Sequence, residues 1–131
     1  MMTASSSKKD KIPVLLVDDS PMFLRLLNEV VQQEPRLSVI GSAHTGEEAF
    51  TVARELHPKV IVFDRDMQVF SNPYATAYLK TRSPGALLVA LALLDEAQTT
   101  MEEAAFGVDV ILAKSQVSSR LVPVMLEMTR L

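Results

Sequence analysis

Ile12-Pro13-Val14-Leu15-Leu16-Val17-Asp18-Asp19-Ser20-Pro21 is the stretch on which the reading of this chain turns. An apolar run ends abruptly in two carboxylates, and a serine and a proline then open a segment of helical period. Apolar residues without alternation read as a strand covered on both faces, the habit of parallel sheets. Ser20 is a good helix-capping acceptor, and Pro21 suits the first helical position, where its missing N–H is not needed. Two later runs end in the same way, Val60 to Phe63 in Asp64 and Val110 to Ala113 in Lys114. If all three are parallel strands of one sheet, three carboxylates and one ammonium meet on a single rim.

Outward from these strands, apolar runs alternate with helical stripes. That pattern predicts an α/β fold, a doubly wound five-stranded parallel sheet with helices on both faces in three layers. The first helix carries Met22, Phe23, Leu26, Leu27, Val30 and Val31 as its stripe and stops at Pro35. A second strand covers Leu37 to Ala43. Thr45 with Glu48 forms a capping box for a second helix, whose buried face is Ala49, Val52, Ala53 and Leu56. The third strand runs from Lys59 to Phe63. Pro73, Pro84 and Gly85 leave room for a short helix, Tyr74 to Arg82, entered through Ser71-Asn72. Ala86 to Leu91 is the fourth strand, Glu96 to Phe106 the fourth helix, and Ser118 or Ser119 the cap of a last helix with Pro123 near its start. Residues 1–11, with Ser5-Ser6-Ser7 and three lysines, read as a disordered tail, leaving 12–131 as the domain. The chain ends inside its last helical pattern, as a piece of a longer protein would.

Composition removes several classes of function. The 131 residues suit one domain with a single core, and the absence of cysteine excludes disulfides, zinc–thiolate sites and thiol nucleophiles. A net charge of −3 without clustered Lys and Arg argues against direct nucleic acid binding. No apolar run approaches the roughly 20 residues that span a bilayer, and the polar start is no signal-peptide core, so no membrane association and a cytoplasmic location are expected.

Open parallel sheets bind ligands at the carboxyl ends of their strands. Asp18, Asp19, Asp64 and Lys114 all fall at such ends. Magnesium takes hard oxygen ligands and keeps several waters, so carboxylates in one crevice suit it. One carboxylate can then serve as nucleophile toward a phosphoryl group while the lysine pairs with the transferred charge. A single Asp after a strand is usually a helix cap. Four charged residues at three strand ends are better explained together. An acid-cluster phosphohydrolase would use the same chemistry with Asp66 as its proton donor, but it would need a cap insert to shape a pocket. His44 and His57 have no ligand-like spacing; Met101, Met125 and Met128 lie on helical stripes, and Lys80, Arg82 and Glu102-Glu103 read as solvated faces.

Leu15-Leu16-Val17-Asp18-Asp19-Ser20-Pro21, Pro58-Lys59-Val60-Ile61-Val62-Phe63-Asp64 and Gly107-Val108-Asp109-Val110-Ile111-Leu112-Ala113-Lys114 resemble the receiver domain of two-component response regulators, over about residues 12–131. Val39 to Ala49 is similar to the receivers of DNA-binding regulators and chemotaxis methylesterases. The resemblance implies a flavodoxin-like strand order and a signalling phosphoacceptor rather than an enzyme. It implies Asp64 as the phosphoacceptor, charged by a sensor histidine kinase, a phosphotransfer protein or a small phosphodonor. Asp19 and Asp64 would bind magnesium directly, Asp18 through water, and the backbone carbonyl of Asp66 would complete the protein ligands. Lys114 would contact the phosphoryl oxygens. The fourth helix, fifth strand and fifth helix would form the face used for homodimers or partners.

The chain departs from that family where phosphorylation becomes shape. The Thr or Ser at the end of the fourth strand is Ala92, and Thr99 and Thr100 fall too far along to replace it. The aromatic of the fifth strand is Ile111, the proline after the lysine is Ser115, and Met-Pro after the phosphoacceptor is Met67-Gln68. Asn72 or a neighbour stands where a glycine is usual. The acids and lysine needed for phosphorylation are therefore present, while the hydroxyl and aromatic that convert it into movement are missing. An interaction module of the same fold that acts without phosphorylation is the alternative this implies.

Overall fold

The computed structural model describes residues 11–93 and 101–130. The tail expected over residues 1–11 lies outside them except for Lys11, as do the first part of the fourth helix, Thr99 and Thr100. Five strands, β1 (Ile12–Val17), β2 (Leu37–Ala43), β3 (Val60–Asp64), β4 (Leu87–Ala92) and β5 (Val110–Ala113), form one parallel sheet in the order β2-β1-β3-β4-β5. The helices are α1 (Pro21–Gln32), α2 (Gly46–Leu56), α3 (Pro73–Arg82), α4 (Met101–Ala105) and α5 (Val122–Thr129).

Alternation along each strand divides the core into two layers. Leu15, Val17, Ile61, Phe63, Leu88 and Ala90 face one side, packed with Ala49 and Ala53 of α2 and Leu79 of α3. Val14, Leu16, Val60, Val62, Val89, Leu91 and Leu112 face the other, with Leu24, Leu27 and Val31 of α1 and Met125 of α5. Val14–Val17 and Val60–Ile61 are fully buried, as both-face coverage requires. At about 1.5–3 kcal/mol for each buried Val, Leu or Ile, these central strands anchor the rim that carries the charged residues.

Local signals act as the sequence suggests at most helix starts. Ser20 Oγ accepts from Phe23 N–H at 3.2 Å, and Thr45 Oγ1 from Glu48 N–H at 3.1 Å. Glu48 reaches back one residue further than a capping box expects, accepting from His44 N–H at 2.7 Å. Asn72 caps α3 through Tyr74 N–H. The last helix differs from expectation, because neither Ser118 nor Ser119 caps it. The chain turns helical directly at Lys114, where Gln116 Oε1 accepts from Ala113 N–H at 3.0 Å, and passes through a widened π turn, Val117–Leu121, before α5. That wide turn precedes Pro123 and gives room where the proline ring would press on the preceding turn.

Other differences concern helix faces. Met22 is 78% exposed and Leu26 37%, while Leu24 takes the buried position on α1. Leu56, the last residue of α2, is 47% exposed rather than buried. Lys80 is no solvated residue, since its ammonium reaches Ala86 O at 2.6 Å and Asp109 Oδ2 at 3.2 Å.

Candidate functional site

The fold reverses strand order beside β1, which has β2 on one edge and β3 on the other. Ligand crevices in such sheets open at this point. Val17 pairs with Phe63, so the residues that follow each, Asp18 and Asp64, become neighbours on the rim. β5 lies one strand further out, with β4 between it and β3. Two strand spacings amount to about 10 Å, a gap that the long lysine side chain and the Asp64 side chain close between them. Ala92 ends β4 opposite Ala113.

The four charged residues meet as the sequence predicts. Asp18, Asp19 and Asp64 each offer a carboxylate oxygen within 4.8 Å of the others. Lys114 Nζ lies 2.9 Å from Asp18 Oδ2 and 3.1 Å from Asp64 Oδ2. The first is an ion pair at an angle poor for a hydrogen bond; the second is hydrogen-bonded. Burial, the largest single influence, pushes the Lys114 ammonium down, but Asp18 and Asp64 together outweigh it and hold its pKa above the ordinary value. The same ammonium stands 4.4 Å from the centre of the Phe23 ring, a cation–π contact.

The carboxylates differ in their surroundings. Asp18 is wholly buried, with Oδ1 accepting from Ser20 N–H at 2.9 Å and Oδ2 held by Lys114. Asp64 is 5% exposed; its Oδ1 accepts from Asp66 N–H at 2.8 Å. Asp19 is exposed and has no hydrogen-bond or ion-pair partner among the described residues. This set of hard oxygens, crowded with only one ammonium to offset it, fits a divalent cation. It has the electrostatics of a site that gains from metal binding.

Ala92 and Ile111 occupy the positions expected of them, buried at 1% and 7% exposure in the layer that contains Phe63 and Phe70. Three features of the site were not read from the sequence. Phe23, taken as part of a helical stripe, places its ring against Lys114. Glu103, taken as solvated, pairs with Arg65 at 2.8 Å and ties α4 to the loop after β3. The carboxylate of Asp66 accepts from Leu93 N–H at 2.9 Å. A lone charge in a sequence does not disclose which backbone amide it will reach.

Comparison with known proteins agrees with this geometry. The sequence pattern of the response regulator receiver domain matches residues 14–125. A protein-glutamate methylesterase/protein-glutamine glutaminase of Shewanella denitrificans is 40% identical over 92 residues, which are 70% of this chain and 24% of that protein. The chain thus spans about a quarter of the length of the curated relatives it matches. The crystal structure of the response regulator domain of Thermotoga maritima CheB superposes with a TM-score of 0.76 at 25% identity, covering 89% of this chain and 95% of that one. CheY6 of R. sphaeroides, solved in complex with the P1 domain of CheA3, is among the similar folds, with a TM-score of 0.79 at 19% identity over 93% of this chain and 99% of the matched chain.

Proposed function

The chain belongs to the response regulator receiver domain family, and from that premise we propose that Asp64 accepts the phosphoryl group in a two-component phosphorelay. The receiver unit in this reading runs over residues 12–131. The observation that carries the reading is the convergence of Asp18, Asp19, Asp64 and Lys114 on one rim, with three carboxylates inside 4.8 Å.

In the proposed reaction a carboxylate oxygen of Asp64 attacks phosphorus, the bond from phosphorus to the donor's nitrogen or oxygen breaks, and an acyl phosphate forms. Magnesium, when bound, neutralises the crowded acids and holds phosphoryl oxygens in place. Asp19 and Asp64 are its direct ligands in this assignment, with Asp18 acting through water and the Asp66 carbonyl completing the set. Burial supports that division, since Asp18 is wholly buried while Asp19 is exposed. Asp19 is free to bind from solvent. Lys114 is restrained by two carboxylates before transfer and follows the charge to the phosphoryl oxygens afterwards. Phe23 keeps one side of that ammonium away from water.

A sensor histidine kinase or a histidine phosphotransfer protein is the donor that fits, met in the cytoplasm. The face of α4, β5 and α5 is the proposed site for homodimers or a partner. Ester hydrolysis, named for the longer relatives, is not part of this proposal, which makes the domain a phosphoacceptor and no turnover enzyme. Ala92 and Ile111 favour a second reading, a receiver-fold interaction module whose contacts do not depend on phosphorylation.

The test is intact mass after treatment with acetyl phosphate and magnesium. A single phosphoryl adduct on the wild type that is absent from Asp64→Asn is the expected result. An adduct that persists in Asp64→Asn would refute the assignment, and no adduct under conditions that label a known receiver would count against phosphoacceptance. Sizing and partner affinity before and after labelling distinguish the two readings, since the interaction module predicts no change in either.

A further inference from the structure

Asp66 stands two residues beyond Asp64 on the loop after β3, and both of its polar ends are engaged. Its N–H donates to Asp64 Oδ1 at 2.8 Å, and its carboxylate Oδ2 accepts from Leu93 N–H at 2.9 Å. Leu93 follows Ala92 directly and begins the segment that leaves β4. One residue therefore joins the carboxylate that reacts to the chain that leads away from the neighbouring strand. Ala92 cannot make such a link itself, having no hydroxyl.

The sign of the link follows from charge. A carboxylate is a strong acceptor for a backbone N–H, so it holds Leu93 well while the rim bears only its own acids. A phosphoryl group on Asp64 adds a charge of about −1.5 to −2 beside that carboxylate. Like charges then meet across a loop already fixed at its other end by the Asp66 N–H. Lys114 offsets part of the added charge, but it stands at Asp64 Oδ2 and Asp18 Oδ2, whereas Asp66 engages the other oxygen of Asp64.

Building on the phosphoacceptor reading, we propose that the Asp66 carboxylate is a charge-sensitive latch on Leu93 N–H, at the end of β4, that opens when Asp64 is phosphorylated. Asp66 is a positioning residue here and takes no part in the transfer. The latch couples Asp64 to the end of β4 without a hydroxyl at Ala92 or an aromatic ring at Ile111.

Hydrogen exchange of the Leu93 amide, followed by NMR on the whole chain, reads the latch directly. In the unphosphorylated protein Asp66→Ala speeds that exchange about tenfold, whereas Asp66→Asn, which keeps a neutral acceptor, changes it little. On labelling with acetyl phosphate and magnesium, exchange accelerates several-fold in the wild type and stays slow in Asp66→Asn. Equal exchange in unphosphorylated wild type and Asp66→Ala would overturn the latch, whatever the chemistry at Asp64. An intact-mass adduct with Leu93 exchange unchanged or slowed would overturn it too, and would leave the phosphoacceptor reading standing. No adduct would overturn that reading, and the coupling with it.

Discussion

Asp19→Asn is expected to stabilise the metal-free protein while it removes most of the stabilisation that magnesium provides. Asp19 has no hydrogen-bond or ion-pair partner among the described residues, so the substitution breaks no contact. Its carboxylate lies within 4.8 Å of those of Asp18 and Asp64. Each such pair repels by roughly 0.9 kcal/mol in bulk water and about 3.5 kcal/mol at an effective dielectric of 20. Asp19 is exposed, which places it nearer the first value. Lys114 offsets about one of the two repulsions, leaving a net gain of about 1–2 kcal/mol on neutralisation. Urea unfolding in the presence of a chelator would show the midpoint rising by roughly 0.5–1 M with an unchanged slope. Saturating magnesium reverses the order, because a ligand at one hundred times its dissociation constant adds about 2.7 kcal/mol to the wild type and far less to a variant with one donor fewer. Reduced stability of the variant without metal, or an equal gain from magnesium in both proteins, would show that Asp19 neither crowds the site nor binds the cation.

Lys114→Ala leaves the buried Asp18 beside Asp64 with no cation, and a loss of about 3 kcal/mol is expected from urea unfolding at neutral pH. The pKa of Lys114 is raised in the folded state, so its contribution is complete below the ordinary lysine value of 10.5 and disappears as pH climbs through the higher folded value. Wild type should therefore lose stability in that alkaline range more steeply than Lys114→Ala, and matching slopes would contradict the assignment. His57 ends α2 in the left-handed region at φ 51°, so His57→Gly should raise stability by about 1 kcal/mol in thermal unfolding, consistent with a histidine that serves no ligand. Gly107 closes α4 at φ +104°, and Gly107→Ala should cost about 1–2 kcal/mol by the same measurement.

Fold and site were legible to different depths. The fully buried strands declared themselves because coverage on both faces demands unbroken apolar runs, and β2 and β5 fall at the residues expected. The rim followed from them, since parallel strands must present the residues after Val17, Phe63 and Ala113 together. Helix faces were less legible. On α1 several apolar residues compete for a stripe of limited width, and the angle at which the helix lies on the sheet decides for Leu24 against Met22. The start of the last helix was missed because the sequence offers two serines as caps, while the structure uses the side chain of Gln116 three residues beyond the strand end. Arg65–Glu103 and Asp66–Leu93 join residues 38 and 27 positions apart, a separation at which local pattern holds no information.

Ala92 ends β4, the strand between those that carry Asp64 and Lys114, and its buried methyl group offers no hydrogen bond to either. Ile111 packs into the layer of Phe63 and Phe70 at 7% exposure, so it is already a core residue and has no polar end to be drawn toward solvent. The loop after β3 is tied to three other parts of the rim, as Asp64, Arg65 and Asp66 each hold a different partner: Lys114 at the end of β5, Glu103 on α4 and Leu93 after β4. A charge added at Asp64 is felt first by the two ionised neighbours of that loop. Asp66, which carries the same sign as that charge, is also the one hydrogen-bonded to Leu93 at the end of β4. In the proposed latch a carboxylate and a backbone amide stand in for the hydroxyl and the aromatic ring that 92 and 111 do not supply.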